Sequence, residues 1–247
     1  MAQTQRDLWL IGSSKIPVKI VYENRTNTRF ALASKAFIVR IPSFVSASEK
    51  MELRENARAW IASVLDKNPA IAKKFQQRVY RDGEVISCYD ADFRVIFKPR
   101  HLSSMVRLCP KSETLSLPVG DANNNPVSSE SLSKTIRVVF KDFYTLRIRY
   151  EAILLADRMG LPNYNDLKLR YMSTRWGSCA GSKGNITINS RLLLAPKQVL
   201  NSVILHELCH LVHPNHSNDF WSLVKRVDPD HRKHTAWLKT NGPGLQL

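Results

Sequence analysis

Long apolar runs are missing from this chain of 247 residues. None approaches the roughly 18 residues that cross a bilayer as a helix, which excludes a helical membrane protein. The opening MAQTQRDLWLIGSSK has only a short apolar patch, Leu8–Ile11. That is too little for a secretory leader, so the chain reads as cytoplasmic. Cysteine is scarce: Cys88, Cys109, Cys179 and Cys209, with no C-x-x-C pair. A disulfide framework and a cysteine-based metal site are therefore not expected, and the thiols read as reduced and mostly buried. Runs of like charge are also missing. The net charge of +16 and a pI near 9.9 invite a nucleic-acid partner. Yet residues 1–160 carry +10 and residues 161–247 carry +6, with no run of five like charges. Such even spreading fits a solvated basic surface, and nucleic acid is kept as an alternative partner.

What is present reads as a mixed α/β (α+β) chain. KIPVKIVYEN and TRFALASKAFIVRIP alternate apolar and polar residues, as strands do. Ser46 precedes Glu49 by three, a capping-box spacing, and Leu53, Ala57, Trp60, Ile61 and Val64 follow on one helical stripe. EVISCY, FRVIF and ETLSLPV return to short strands. GDANNNPVSS, at 120–129, is the clearest loop and suggests a division into a β-rich region, 1–125, and a second domain, 126–247. A long helix over about 130–159 is expected to bury Val138, Val139, Phe143, Leu146, Tyr150, Ile153 and Leu154. LKLRYMSTRW and NITIN read as strands, and Pro196 opens a further helix.

That last helix carries the chemistry. Four of the seven histidines fall in VILHELCHLVHPNHSNDFW, residues 203–221. His206 and His210 are four apart, so they share a helix face and can converge on one metal ion. Glu207 lies about 100° round the helix, where a carboxylate flanks an ion without ligating it and can take a proton from its water. This is the H-E-x-x-H arrangement of zinc metallopeptidases. A catalytic zinc takes three protein ligands and keeps one position open. His213, His216, His231, His234 and a distant carboxylate are all available for the third place. Pro214 stops the helix after His213, and the turn it forces can swing His216 back over the ion. The spacing from His206 to His216 equals the metzincin signature, with His213 at the position where that signature has its turn glycine. His216 is favoured, and His213 reads as a supporting or surface residue.

The C-terminal part resembles the YgjP-like, SprT-related family of zinc metallopeptidases. Arg175-Trp176-Gly177-Ser178-Cys179, Lys183-Gly184 with Asn185-Ile186-Thr187-Ile188-Asn189, Leu194-Ala195-Pro196, HELCH at 206–210, Asn215-His216-Ser217 and Phe220-Trp221 carry the resemblance. Pro229-Asp230 and Trp237-Leu238 extend it, and it runs more faintly into the N-terminal strands. It implies a zincin-like α/β catalytic domain, His206, His210 and His216 as ligands, and Glu207 as general base. Two departures are His231 after Pro229-Asp230, where the family often has an aromatic residue, and Arg232-Lys233-His234 in place of an arginine-rich segment. No methionine follows Met172, so the metzincin-like spacing comes without a Met-turn.

The expected function is peptide-bond hydrolysis with one Zn2+ per chain, acting on a protein or peptide. The oxyanion would need a further donor, with Arg175, His231, His234 and Tyr171 as candidates. In zincins a sheet edge pairs with extended substrate, and Asn185, Ile186, Thr187, Ile188 and Asn189 read either as that edge or as a core hairpin. Phe220 and Trp221 read as core anchors, and Cys179 and Cys209 as packing residues. A peptidase acting on DNA-bound or crosslinked proteins and a non-catalytic zinc-binding module are the alternatives. Oligomeric state is not legible.

Overall fold

The computed structural model describes residues 2–33, 36–75, 78–102, 104–120, 127–128 and 130–246. It forms two compact units, Met1–Gln76 and Gln77–Leu247. The first holds strands β1 (Gln3–Ile11), β2 (Ser14–Glu23), β3 (Arg29–Leu32) and β4 (Phe37–Pro42), then helices α1 (Ala47–Lys67) and α2 (Ala70–Phe75). The sheet order is β1-β2-β4-β3, with β2 and β4 parallel. Strand alternation sends Ile16, Val18, Ile20, Phe37, Val39 and Ile41 to one face, where they pack with Ala57, Ile61 and Leu65 of α1. Ser46 caps α1 with the expected box: its hydroxyl accepts from the Glu49 amide, and the Glu49 carboxylate accepts from the Ser46 amide.

The second unit begins with β5 (Val79–Tyr80), β6 (Val85–Cys88), β7 (Ala91–Pro99), β8 (Arg107–Cys109), β9 (Thr114–Val119) and β10 (Val127–Ser128). Helix α3 (Glu130–Met159), strands β11 (Asp166–Arg170), β12 (Gly177–Ala180) and β13 (Asn185–Asn189), and helices α4 (Lys197–Cys209), α5 (Asn218–Val227) and α6 (His231–Asn241) complete it. Its sheets are β6-β7-β9-β8 and β11-β13-β12, with the short pair β5-β10. The division at 125/126 suggested by the loop differs from this grouping. Phe93 and Val95 of β7 and Leu115 and Leu117 of β9 share one core with Phe140 and Tyr144 of α3, which ties residues 78–119 to the C-terminal unit. Most of the 120–129 loop lies outside the described residues.

Helix α3 has the expected bounds but buries a different stripe. Leu132, Ile136, Phe140, Tyr144, Ile148, Ala152 and Ala156 are buried, whereas Val138, Phe143, Leu146, Tyr150, Ile153 and Leu154 are exposed. Steps of four advance about 40° beyond a full turn, so the buried line winds around the helix. It does so because different elements meet the helix in turn: Phe93 of β7 at Phe140, the Cys88 carbonyl of β6 at Tyr144, the Leu167 carbonyl of β11 at Arg149, and Asn201 of α4 at Glu151. A fixed-face stripe cannot capture a contact line that turns.

The strand NITIN also differs from its edge reading. β13 is the middle strand of its sheet, parallel to β11 on one side and antiparallel to β12 on the other. Its backbone donors and acceptors are taken, so Asn185–Asn189 cannot add a substrate strand; β12 is the strand at that edge. LKLRYMSTRW is strand only to Arg170. The rest is a loop gripped by the buried Asn189: its amide donates to the carbonyls of Met172 and Arg175, both at 2.7 Å, and its side-chain oxygen accepts from the amides of Met172 and Arg191. Cys88 and Cys209 are buried and Cys179 half-buried, but Cys109 is exposed; all four are free thiols. Among the described residues no helix is long and apolar enough to cross a membrane.

Candidate active site

Helix α4 is largely buried. Val199, Leu200, Val203, Ile204, Leu205, Leu208 and Cys209 are buried, so the helix runs through the unit's core and its few polar side chains have fixed surroundings. Pro196 stands at its N-cap. His206 and His210 lie one turn apart near its C-terminal end, their ring centroids 4.9 Å apart. The amide of His213 still bonds the Cys209 carbonyl at 2.9 Å, after which Pro214 and Asn215 turn the chain. Ser217 then caps α5 by accepting from the Phe220 amide, which fixes His216 between the two helices.

The turn brings His216 onto the other two. Ring nitrogens of His206, His210 and His216 all lie within 4.8 Å of one another, and no other His, Cys, Asp or Glu group of that kind occurs among the described residues. The Nε2 atoms of His206 and His216 are 3.2 Å apart. Two nitrogens each about 2.0–2.1 Å from a tetrahedral ion lie about 3.3–3.4 Å apart, so the spacing fits one metal. His210 Nδ1 sits 3.1 Å from the His213 carbonyl, which as acceptor leaves Nε2 turned to the cluster. Residue 213 thus contributes its backbone. Burial, then the neighbouring His210, His216 and His231, lower the His206 pKa to about 4, and burial lowers that of His210. Both rings are neutral near pH 7, with lone pairs free to bind a cation.

Phe220 is the floor of this cluster. It is fully buried, stacked on His210 at 4.4 Å and edge-on to His206 and His216 at 5.0 and 4.8 Å. Trp221 is half-exposed and stacks on His216 at 5.5 Å. The core-anchor expectation holds for Phe220 and not for Trp221, which is 43 % exposed and lines a cavity beside the histidines. Nothing in sequence spacing marks Phe220 as the ring beneath all three imidazoles, since α5 folds back onto α4 only in three dimensions.

Glu207 is 5 % exposed, and burial raises its pKa to about 7 against the lowering pull of Arg175. It faces β12 at Gly177. A methyl group on Gly177 would overlap the carboxylate, with Cγ and Cδ of Glu207 each 2.7 Å away. The glycine of the Trp176-Gly177 pair therefore makes room for the acid. Gly177→Ala should displace Glu207 without touching the histidines. Peptide hydrolysis is expected to fall about 10²-fold, with metal content per chain unchanged in an elemental assay. Unchanged hydrolysis would show that Glu207 does not need this gap.

The four further candidates separate in space. His231 lines the same cavity as His206 and Glu207, with Nδ1 3.1 Å from the Asp228 carbonyl. Arg175 acts on Glu207 electrostatically, as its effect on the acid's pKa records, and its carbonyl is held by Asn189. His234 is instead tied through Nδ1 to the buried Asp228 carboxylate at 3.1 Å. Tyr171 lies against the Arg137 guanidinium, 5.1 Å from the ring centre, and lines a separate pocket with Ser190 and Leu193. Neither His234 nor Tyr171 lines the cavity that holds His206, Glu207 and His231, which sets these two apart from the other candidates. Cys209 is packing, as expected, with burial pushing its thiol up to about 12.

The cavity itself measures about 480 Å³ and is bounded by Trp176, Val203, Trp221, Val224 and Leu238 together with His206, Glu207 and His231. Two half-buried imidazoles, an exposed third and a buried acid, beside such a cavity, can hold a cation and accept a proton next to it.

Comparison with known proteins agrees with this chemistry. None of the curated proteins matches the chain. Among solved structures, the metallopeptidase zymogen abylysin of Pyrococcus abyssi is similar at 21 % identity, over 36 % of this chain and 90 % of that one, with a TM-score of 0.32. That likeness is too slight to bear on the fold. A family model, by contrast, matches residues 26–241, from just before β3 to the end of α6, and describes a YgjP-like metallopeptidase domain. Covering most of the chain and all of the histidine cluster, it establishes that the chain belongs to the YgjP-like metallopeptidase family.

Proposed function

We propose that this metallopeptidase is a one-zinc enzyme in which His206, His210 and His216 hold the ion and Glu207 is the general base. The observation that carries the reading is the convergence of three imidazoles within 4.8 Å beside a buried carboxylate. The donor set suits zinc: all-nitrogen, three ligands, one side left open, with His210 oriented by a carbonyl. Zinc, when bound, supplies Lewis-acid polarisation of a carbonyl and a water of lowered pKa. Glu207 accepts a proton from the attacking water and delivers it to the leaving amine. Its burial keeps the carboxylate poorly solvated and ready to exchange that proton. His231, anchored through Nδ1 and lining the same cavity, is the side chain placed to hydrogen-bond the developing oxyanion, with Arg175 adding positive charge near Glu207. An extended substrate would pair with β12, the edge strand that carries Gly177, in place of the central β13. Removing metal with a chelator should abolish hydrolysis of an unfolded protein substrate, and one equivalent of Zn2+ should restore it. Full activity in the metal-free chain would sink the reading.

A second reading, action on DNA-bound proteins, has one specific support. In the first unit α1 and α2 cover one face of the sheet. The other face presents Arg6, Lys15, Lys19, Arg29 and Arg40, with Glu23 as the one acid among them in the strand register. On the helix side Arg54 pairs with Asp7 and Arg58 with Glu55. Arg40 is paired with Glu23 at 2.9 Å on the sheet face, so the positive excess of that face comes from Arg6, Lys15, Lys19 and Arg29. If several phosphates are contacted there, duplex affinity should fall by at least about tenfold between 50 and 200 mM salt, and Lys19→Glu with Arg6→Glu should remove most of it. Weak, salt-independent binding would remove this reading.

A further inference from the structure

The cavity beside Glu207 is more than the approach to the histidines, and its walls specify what enters it. Val203 rises from α4 one turn before His206, Val224 comes from α5 and Leu238 from α6; all three are buried. Trp176 and Trp221 add two indole rings to the lining. Apart from Glu207 no carboxylate lines the space, so a basic side chain would find no counter-charge there. Lys239, Ser202 and Thr235 also line the space, but against the indole and aliphatic groups that make up most of its wall an acidic or amide side chain would lose its water, at a cost of a few kcal/mol without a partner.

The walls are also fixed in place. The Arg191 guanidinium lies 4.8 Å from the Trp176 ring centre on one side, and the same group donates to the carbonyls of Gly242 and Leu245. Gly242 packs so closely under Trp176 that a Cβ there would come within 3.0 Å of Cη2. The end of α6 and the turn after it therefore brace the indole from behind. A braced apolar cavity of about 480 Å³ falls within the range of small-ligand pockets and has room for one large side chain.

Its position ties that side chain to the reaction. His206 and Glu207 themselves line the cavity. A peptide whose carbonyl carbon sits at the three imidazoles has its own Cα about 1.5 Å and the next Cα about 2.4 Å from that carbon, so a side chain flanking the bond starts within reach of this space. Resting on the zinc-peptidase reading above, we infer that the cavity is the specificity pocket, and that the enzyme selects peptides with a large apolar residue, of the leucine or phenylalanine kind, flanking the cleaved bond.

The test uses the full zinc-loaded chain and a peptide panel that varies only the two residues flanking one bond, through Gly, Ala, Asp, Lys, Leu and Phe, with cleavage followed by mass spectrometry. At one flanking position Leu or Phe should exceed Ala by at least about tenfold in kcat/KM, the worth of the extra buried methylenes, and Asp should be cut more slowly still. Val203→Phe fills the cavity from α4; Thr235→Trp fills it from an exposed position on α6 that tolerates bulk. Both should erase the preference, so that the Phe and Ala peptides are cut with the same kcat/KM, whatever the variants do to either rate alone. Zinc-dependent cleavage that is indifferent to the flanking residue, or a preference that survives both variants, would overturn the pocket assignment alone. Failure to cut any peptide in the panel would overturn the hydrolytic reading and the pocket assignment together.

Discussion

Glu207→Gln should leave zinc near one per chain and cut peptide hydrolysis by about 10²–10⁴-fold, the usual contribution of a positioned general base. Glutamine has the same shape, so it fills the gap opposite Gly177 without a clash. It does not ligate the ion in this reading, because Glu207 projects away from the shared face of His206 and His210 towards β12. What is lost is a basic oxygen able to take a proton from water. Measuring metal by elemental analysis and turnover on the same preparation separates the two roles. Activity that survived the change would show that another group is the base; zinc that left with it would show that Glu207 is a ligand.

His216→Ala carries the second large effect, on binding in place of chemistry. His206 and His210 stay in place on α4, but a two-imidazole site is expected to hold zinc at least about 100-fold more weakly, since even outer-shell losses cost 10- to 100-fold. Hydrolysis should fall to background at substoichiometric zinc. His216 is exposed and lies outside any helix, so the thermal midpoint of the metal-free chain should not move. That contrast is the diagnostic: a structural histidine would shift the apo midpoint, whereas a ligand shifts only the holo one. Tight stoichiometric zinc in His216→Ala would mean that the third ligand is another residue.

These two residues were legible because their signals are local. H-E-x-x-H on an apolar stripe fixes two rings and an acid by helix geometry alone, and Pro214 fixes where the helix ends. The Ser46–Glu49 box and the bounds of α3 are equally local. What escaped depends on elements far apart in sequence. Which stripe of α3 is buried follows from where sheet and helix meet it, and the helix is apolar on more than one side. NITIN has the composition of either an edge or a central strand; β11 pairing in parallel with β13 decides it. By residue type His231, His234 and Tyr171 are equivalent candidates; only the packing of α6 and α5 shows that His231 lines the cavity beside Glu207 and the other two do not. Gly177 and Phe220 were visible as parts of motifs, while their roles, a gap for the acid and a floor for the imidazoles, appear only once β12 and α5 are packed against α4.

The most direct test of the three-imidazole centre is X-ray absorption at the zinc edge on the loaded chain, run beside His216→Ala. The expected spectrum fits three histidine nitrogens at about 2.0–2.1 Å with one further light atom, and the variant should lose one imidazole contribution along with most of its zinc. A sulfur shell at about 2.3 Å, or a wild-type-like spectrum in His216→Ala, would contradict it.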